Sequence, residues 1–219
     1  FDAATDSGDK VAATPWTWTH TTTGSDMSMG LSIQWWDNSG AITLDVPTYN
    51  SVNLTLGIEI KEQGYINHAD VHYLASPASG ANTVSVAFTG GGSYGRAWSQ
   101  TFSGTNTTTP LDTTASKQAL AGGAGQSITT AIVTNNDNSF IVDCGSSVSS
   151  GAITAGGSQT ALTASSRDGN ASRRATTTAG SYSNSWTWAS GGNPMAHALM
   201  AINEGASATA KRLAILGVG

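Results

Sequence analysis

The chain has 219 residues, 38% of them hydrophobic and only 11% charged, with a formal net charge of −5. That is enough apolar material for one sizeable core, since single all-β domains often run to roughly 200–250 residues. The charge argues against nucleic acid, because phosphate binding needs a basic face and residues 1–70 carry nine acids against Lys10 and Lys61.

Alternation with period two recurs from end to end, over 14–23, 27–36, 42–49, 52–60, 68–75, 82–89, 95–103, 127–134, 139–148, 172–178, 184–189 and 195–203. Turn signals separate these runs, among them Asn38-Ser39-Gly40, Ser79-Gly80, Gly90-Gly91-Gly92, Asn135 to Asn138 and Gly192-Asn193-Pro194. Many short strands with no helical period between them predict an all-β fold, a two-sheet antiparallel β-sandwich or a barrel. The Gly, Ser and Thr-rich stretches 104–126 and 149–171 read as loops, where a rigid sandwich tends to carry binding specificity. Residues 195–203 read as a final strand buried on both faces.

In TPWTWTH, residues two apart point the same way, so Trp16, Trp18 and His20 share one face and the threonines take the other. Trp186 and Trp188 share a face in the same manner, and all four indoles are expected in the core. Trp35 and Trp36 are consecutive and must face opposite sides: one belongs to the core and the other is open to solvent. With Asp37 they form the candidate glycan-binding residues, an aromatic platform beside a polar group. Cys144, the single cysteine, excludes an intramolecular disulfide framework and shares a strand face with Phe140 and Val142, which predicts a buried, inert thiol.

No catalytic residues are assigned. Glycoside hydrolysis needs two carboxyls across a cleft, and Glu59 and Glu62, three apart on a strand, point to opposite faces. No Gly-x-Ser-x-Gly elbow sits between a strand and a helix. His68 and His72 share a strand face with Asp70 between them, but lie about 13 Å apart at about 3.3 Å per residue, too far for one ion on a regular strand. The Asp37-Asn38 and Asn135 to Asn138 turns offer oxygen ligands for calcium, yet Asn and Asp make such turns unaided. The sequence therefore predicts no metal and no cofactor. Asn-x-Ser/Thr sequons stand at Asn53, Asn106 and Asn170.

The segments FDAATDSG, TWTHTTTGSDMSMGLSI, LDVPTYNSVNLTL, HADVHYLASPASGANTVSVAF, WSQTFSGTNTTTPLDTTAS and SNSWTWASGGNPMAHALMAINE resemble a family of jelly-roll-like β-sandwich domains found in tailed-phage structural proteins and in secreted or surface proteins of bacteria. The resemblance spans residues 1 to about 204 and rests on structural rather than catalytic motifs. It implies a jelly-roll-like domain over 1–204, which commonly stops just after its last strand. Here a linker and apolar segment, 205–219, follows, and Lys211, Arg212, Leu213, Ile215, Leu216 and Val218 are the candidate assembly residues. That segment is too short to span a bilayer but long enough to reach a neighbouring subunit and add to its sheet.

The expectation is a non-enzymatic structural protein of a phage virion, a capsid decoration or tail component. Its partners would be other copies of itself and other virion proteins, without nucleic acid or membrane insertion. The alternative is a carbohydrate-binding module or adhesin, extracellular or at a cell surface, that meets a host surface glycan.

Overall fold

The computed structural model describes residues 1–37, 39–62, 67–112, 116–120, 127–147, 153–163, 169–189 and 194–205. The strands of the first half are β1 (Ala3–Asp6), β2 (Lys10–Ala13), β3 (Trp16–Thr22), β4 (Ser28–Trp36), β5 (Thr43–Leu44), β6 (Thr48–Tyr49), β7 (Val52–Asn53), β8 (Thr55–Lys61), β9 (Asn67–Ala75), β10 (Gly80–Val86), β11 (Phe88–Thr89) and β12 (Ser93–Phe102). Those of the second half are β13 (Ser116–Leu120), β14 (Ser127–Thr134), β15 (Phe140–Ser147), β16 (Ile153–Ala155), β17 (Thr160–Ala161), β18 (Gly169–Ala175), β19 (Gly180–Trp188) and β20 (Met195–Ile202). Every described pairing between strands is antiparallel.

The sandwich expected from the sequence is present twice over. Sheet I, in the order β3-β10-β6-β7, covers sheet II, β1-β12-β4-β9-β8, to which β2 adds through β12. Sheet III, β13-β20-β15-β18-β17, packs on the other side of sheet II, and sheet IV, β14-β19-β16, closes the far side of sheet III. A short pair, β5 with β11, lies beside the first sandwich, where Phe88 and Leu44 join the core between sheets I and II.

The residue pattern explains the stacking. In β4, SMGLSIQWW, Met29, Leu31, Ile33 and Trp35 point to sheet I, while Ser28, Gly30, Ser32 and Gln34 take the side of sheet III. Small residues on that second side let two sheets approach: Ser32 Oγ donates to the Asp143 carbonyl at 2.8 Å, and a Cβ on Gly30 would lie 3.2 Å from the Val142 methyls. Strand β20 does the same, with Ala196, Ala198, Met200 and Ile202 toward sheet II and Met195, Leu199 and Ala201 toward sheet IV. It is buried along its whole length, as expected for 195–203. Trp16, Trp98, Trp186 and Trp188 are all fully buried. Each removes about 150–250 Å² from water, a gross gain of about 4–6 kcal/mol apiece. Trp18 is only half-buried and donates its Nε1–H to Ser99 Oγ at 3.1 Å. Cys144 is buried between sheets II and III beside Val142 and Phe140, and burial pushes its thiol well up.

Two expectations need correction. The stretches 104–126 and 149–171 are not loops throughout: they hold β13, β16, β17 and the start of β18. β16 and β17 have only three and two residues, too few to show a period. β18 begins at Gly169 rather than 172, because Asn170 and Ser172 are buried through hydrogen bonds rather than apolar contact, so their inward position leaves no hydrophobic alternation.

Candidate functional site

The tandem tryptophans sit at one end of sheet II, on opposite faces. Trp35 is 3% exposed; its indole stacks on the His68 ring at 3.7 Å and 15°, and its Nε1–H donates to Asp70 Oδ2 at 2.6 Å. Trp36 is half-exposed on the other face, and the β4–β12 register places Tyr94 directly across from it. The two rings lie 5.9 Å apart at 54°, and Tyr94 is 39% exposed. They form a shallow aromatic corner, with an apolar ring face for stacking and a phenol for hydrogen bonding. Next along the same face of β12, Arg96 is held by Asp6 at 2.8 Å and Asp9 at 3.1 Å. Of the candidate glycan-binding residues, Trp36 is therefore the one whose ring is open to a ligand.

Asp37 is buried at the start of the turn that follows. Its Oδ1 accepts from the amides of Ser39 and Gly40 and from Ser39 Oγ, and its Oδ2 accepts from the amide of Ile42. Burial works against its charge, but these hydrogen bonds outweigh it and hold the carboxyl below its usual value. Gly40 completes the turn at φ +72°, a conformation that favours glycine. Asp37 thus anchors the loop beside the aromatic corner. Nothing local in the sequence marks Tyr94 as the partner of Trp36; only the β4–β12 register brings the two together.

A second cluster lies on the sheet I side of β9. Asp70 is buried there, and the loss of water raises its carboxyl to about 8; the Trp35 hydrogen bond opposes this shift and nearby Glu59 adds to it. His68 is lowered to about 4 by burial and by Lys61, against the pull of Asp37, and His72 is lowered to about 4 by burial alone. Neither ring nitrogen of His72 has a hydrogen-bond partner. Among the described residues, no three His, Cys, Asp or Glu side chains converge as a metal-ligand set.

Between sheets III and IV a third cluster surrounds the fully buried Asp143. Its Oδ1 accepts from the amide of Ser172 at 2.8 Å and from Ser172 Oγ at 2.7 Å. Its Oδ2 accepts from Gln159 Nε2 at 2.9 Å and Asn184 Nδ2 at 2.8 Å, with His197 Nε2 at 3.4 Å. A serine, a histidine and an aspartate meet here in the wrong order for nucleophilic catalysis: the hydroxyl donates to the carboxylate and not to the imidazole. With Asp143, Ser172 and His197 all sealed from solvent, the cluster is a polar core joining two sheets: the Asp143 carboxyl is fully hydrogen-bonded, while Asn184 Oδ1 and His197 Nδ1 have no partner.

The candidate assembly residues Lys211, Arg212, Leu213, Ile215, Leu216 and Val218 lie outside the described residues. The point from which that segment departs is defined. Glu204 bridges Thr105, the Gly205 amide donates to the Gly104 carbonyl at 2.6 Å, and Asn203 Nδ2 donates to the carbonyls of Thr109 and Leu111. Of the sequons, Asn53 is exposed, whereas Asn170 is buried with Thr163 held on its side-chain amide.

No family model matches the chain, and no curated protein or solved structure matches it either. Fold and site define an all-β protein of stacked antiparallel sheets, with an aromatic corner at one end and a fixed C-terminal exit at Gly205.

Proposed function

We propose that this protein is a non-enzymatic structural component of a phage virion, a capsid decoration or tail part, that works by assembling with copies of itself and with other virion proteins. The observation that carries the reading is the finished state of the stack at its C-terminal exit. β20 already has β13 and β15 as neighbours on its two sides, and Glu204 and Gly205 are tied to the 104–105 backbone. In sequence, the basic and apolar residues from Lys211 to Val218 follow a strand that is paired on both sides, which supports the reading that they serve some other sheet edge, that of a neighbouring copy. The jelly-roll-like resemblance of residues 1–204 points the same way. The test compares the solution mass of the full chain with that of a chain ending at Glu204. Loss of the assembled species on truncation, with sheet content intact, is the expected result. The same number of copies per particle for both chains contradicts the reading.

A second reading, glycan binding, is favoured by the Trp36–Tyr94 corner. It predicts a change in tryptophan fluorescence on adding a polysaccharide ligand, lost in Trp36→Ala. A set of host surface polysaccharides that leaves the fluorescence of the parent chain unmoved removes it.

A further inference from the structure

Three of the four histidines lie in one interlayer, that between sheets I and II, and they bracket its apolar core from both flanks. His20, on β3, closes the β1 and β12 side and is fully buried: Thr5 Oγ1 lies 2.8 Å from its Nδ1 and Thr101 Oγ1 lies 3.2 Å from its Nε2. His68 and His72 close the β9 side. The fourth, His197, lies between sheets III and IV, with its Nε2 3.4 Å from Asp143 Oδ2. Between sheets II and III the buried core is Trp98, Phe102, Val142, Cys144, Met200, Ile202 and small aliphatic residues, with no histidine.

The charges that face the three rings are few. His20 has Asp2, reached through Thr101, whose hydroxyl donates to Asp2 Oδ2 at 2.9 Å; β10 offers only the uncharged Asn82 across from it, and the Tyr49 ring lies edge-on. His68 has Lys61 on β8 against it and Asp37 in its favour. His72 is flanked in the sheet by Leu31 on β4 and Leu56 on β8, and no charged group acts on it. Asp70, two residues from both His68 and His72, is held neutral below about pH 8 and offers them no ready counter-ion, while Glu59 lies beyond it on β8.

We propose that sheet I is an acid-releasable cover: protonation of His20, His68 and His72 loosens it from sheet II, while sheets II, III and IV remain packed on one another. A charged imidazole in this interlayer gains by recovering water, and parting of the two sheets supplies it. Burial opposes charging at all three rings, and it outweighs the help that His20 draws from Asp2. Release would expose the sheet I side of β4, with Met29, Leu31, Ile33 and Trp35, as a new apolar surface.

The test is amide hydrogen exchange of the full chain from pH 7.5 to pH 4, corrected for the intrinsic pH dependence of exchange. Amides of β3 and β10 are expected to lose protection by tenfold or more between pH 6 and pH 4, with those of β15 and β20 unchanged. Simultaneous loss in all four sheets, or none down to pH 4, overturns the proposal. In His20→Gln/His72→Gln the opening should move to lower pH or vanish, and opening at the parent's pH also overturns it. If that variant does not fold, the exchange pattern of the parent chain decides alone.

Discussion

Replacing Asp70 by asparagine should stabilise the protein at neutral pH, although it removes a carboxyl that accepts a buried hydrogen bond. Asp70 is buried on β9 and accepts the Trp35 indole N–H at 2.6 Å, an interaction that the Asn Oδ1 can retain. The carboxyl is raised to about 8 from a usual value of 3.8, so at pH 7 it is protonated in the native state and ionised in the unfolded one. A raised carboxyl stabilises the fold fully below the unfolded pKa and loses that contribution as pH rises toward the folded one. At about 1.4 kcal/mol per unit, the cost at pH 7 has an upper limit near 4 kcal/mol. Relaxation of the site and the extra amide donor of Asn, which needs a partner, reduce the expected gain to about 1–3 kcal/mol. Urea unfolding at pH 5, 6, 7 and 8 reads it directly. Asp70→Asn should gain most at pH 8 and converge on the parent toward pH 4. A variant less stable than the parent at pH 8, or a difference independent of pH, would refute the reasoning.

Three further outcomes follow from the same geometry. A Cβ at position 145 would lie 2.6 Å from the Trp186 ring, so Gly145→Ala should cost about 1–3 kcal/mol in urea unfolding, and an unchanged midpoint counts against the sheet III to sheet IV packing. Trp35→Ala should cost about 3–5 kcal/mol and Trp36→Ala much less, since only the first is buried; comparable losses would mean that both rings are core. Stability should fall as pH drops from 6.5 to 4, because the unfolded chain holds protons on His20 and His72 that the native state lacks, while the native state holds one on Asp70. Two protons against one give about 1.4 kcal/mol per pH unit, more with a screened share from His68, and stability rising on acidification over that range contradicts the assignment.

The strands were legible where one face is apolar. The Trp16, Trp18, His20 row against threonines, and the Trp186, Trp188 row, are seen in the sequence as they stand in the sheets, because period two is a local property of the backbone. β4 and β20 were also legible, as strands whose polar-free or small-residue faces have no need of water. The stacking of four sheets was not, because it depends on which strands pair, and β12 reaches across the chain to β1, β2 and β4. Tyr94 meets Trp36 only through that pairing. The Asp143 cluster escaped for another reason: Gln159, Ser172, Asn184 and His197 come from separate strands and turns, and Ser, Asn and Gln look the same in sequence whether they bond a buried carboxylate or water. The turn at Asp37-Asn38 was legible, but not that the Asp37 carboxyl is taken up by the amides of Ser39, Gly40 and Ile42 instead of facing a ligand beside Trp36.

The most direct test of the assembly claim is the sedimentation mass of the full chain over a range of concentrations. Self-assembly predicts a species at an integer multiple of the single-chain mass that persists on dilution to the micromolar range. A chain that sediments as a monomer at every concentration contradicts it.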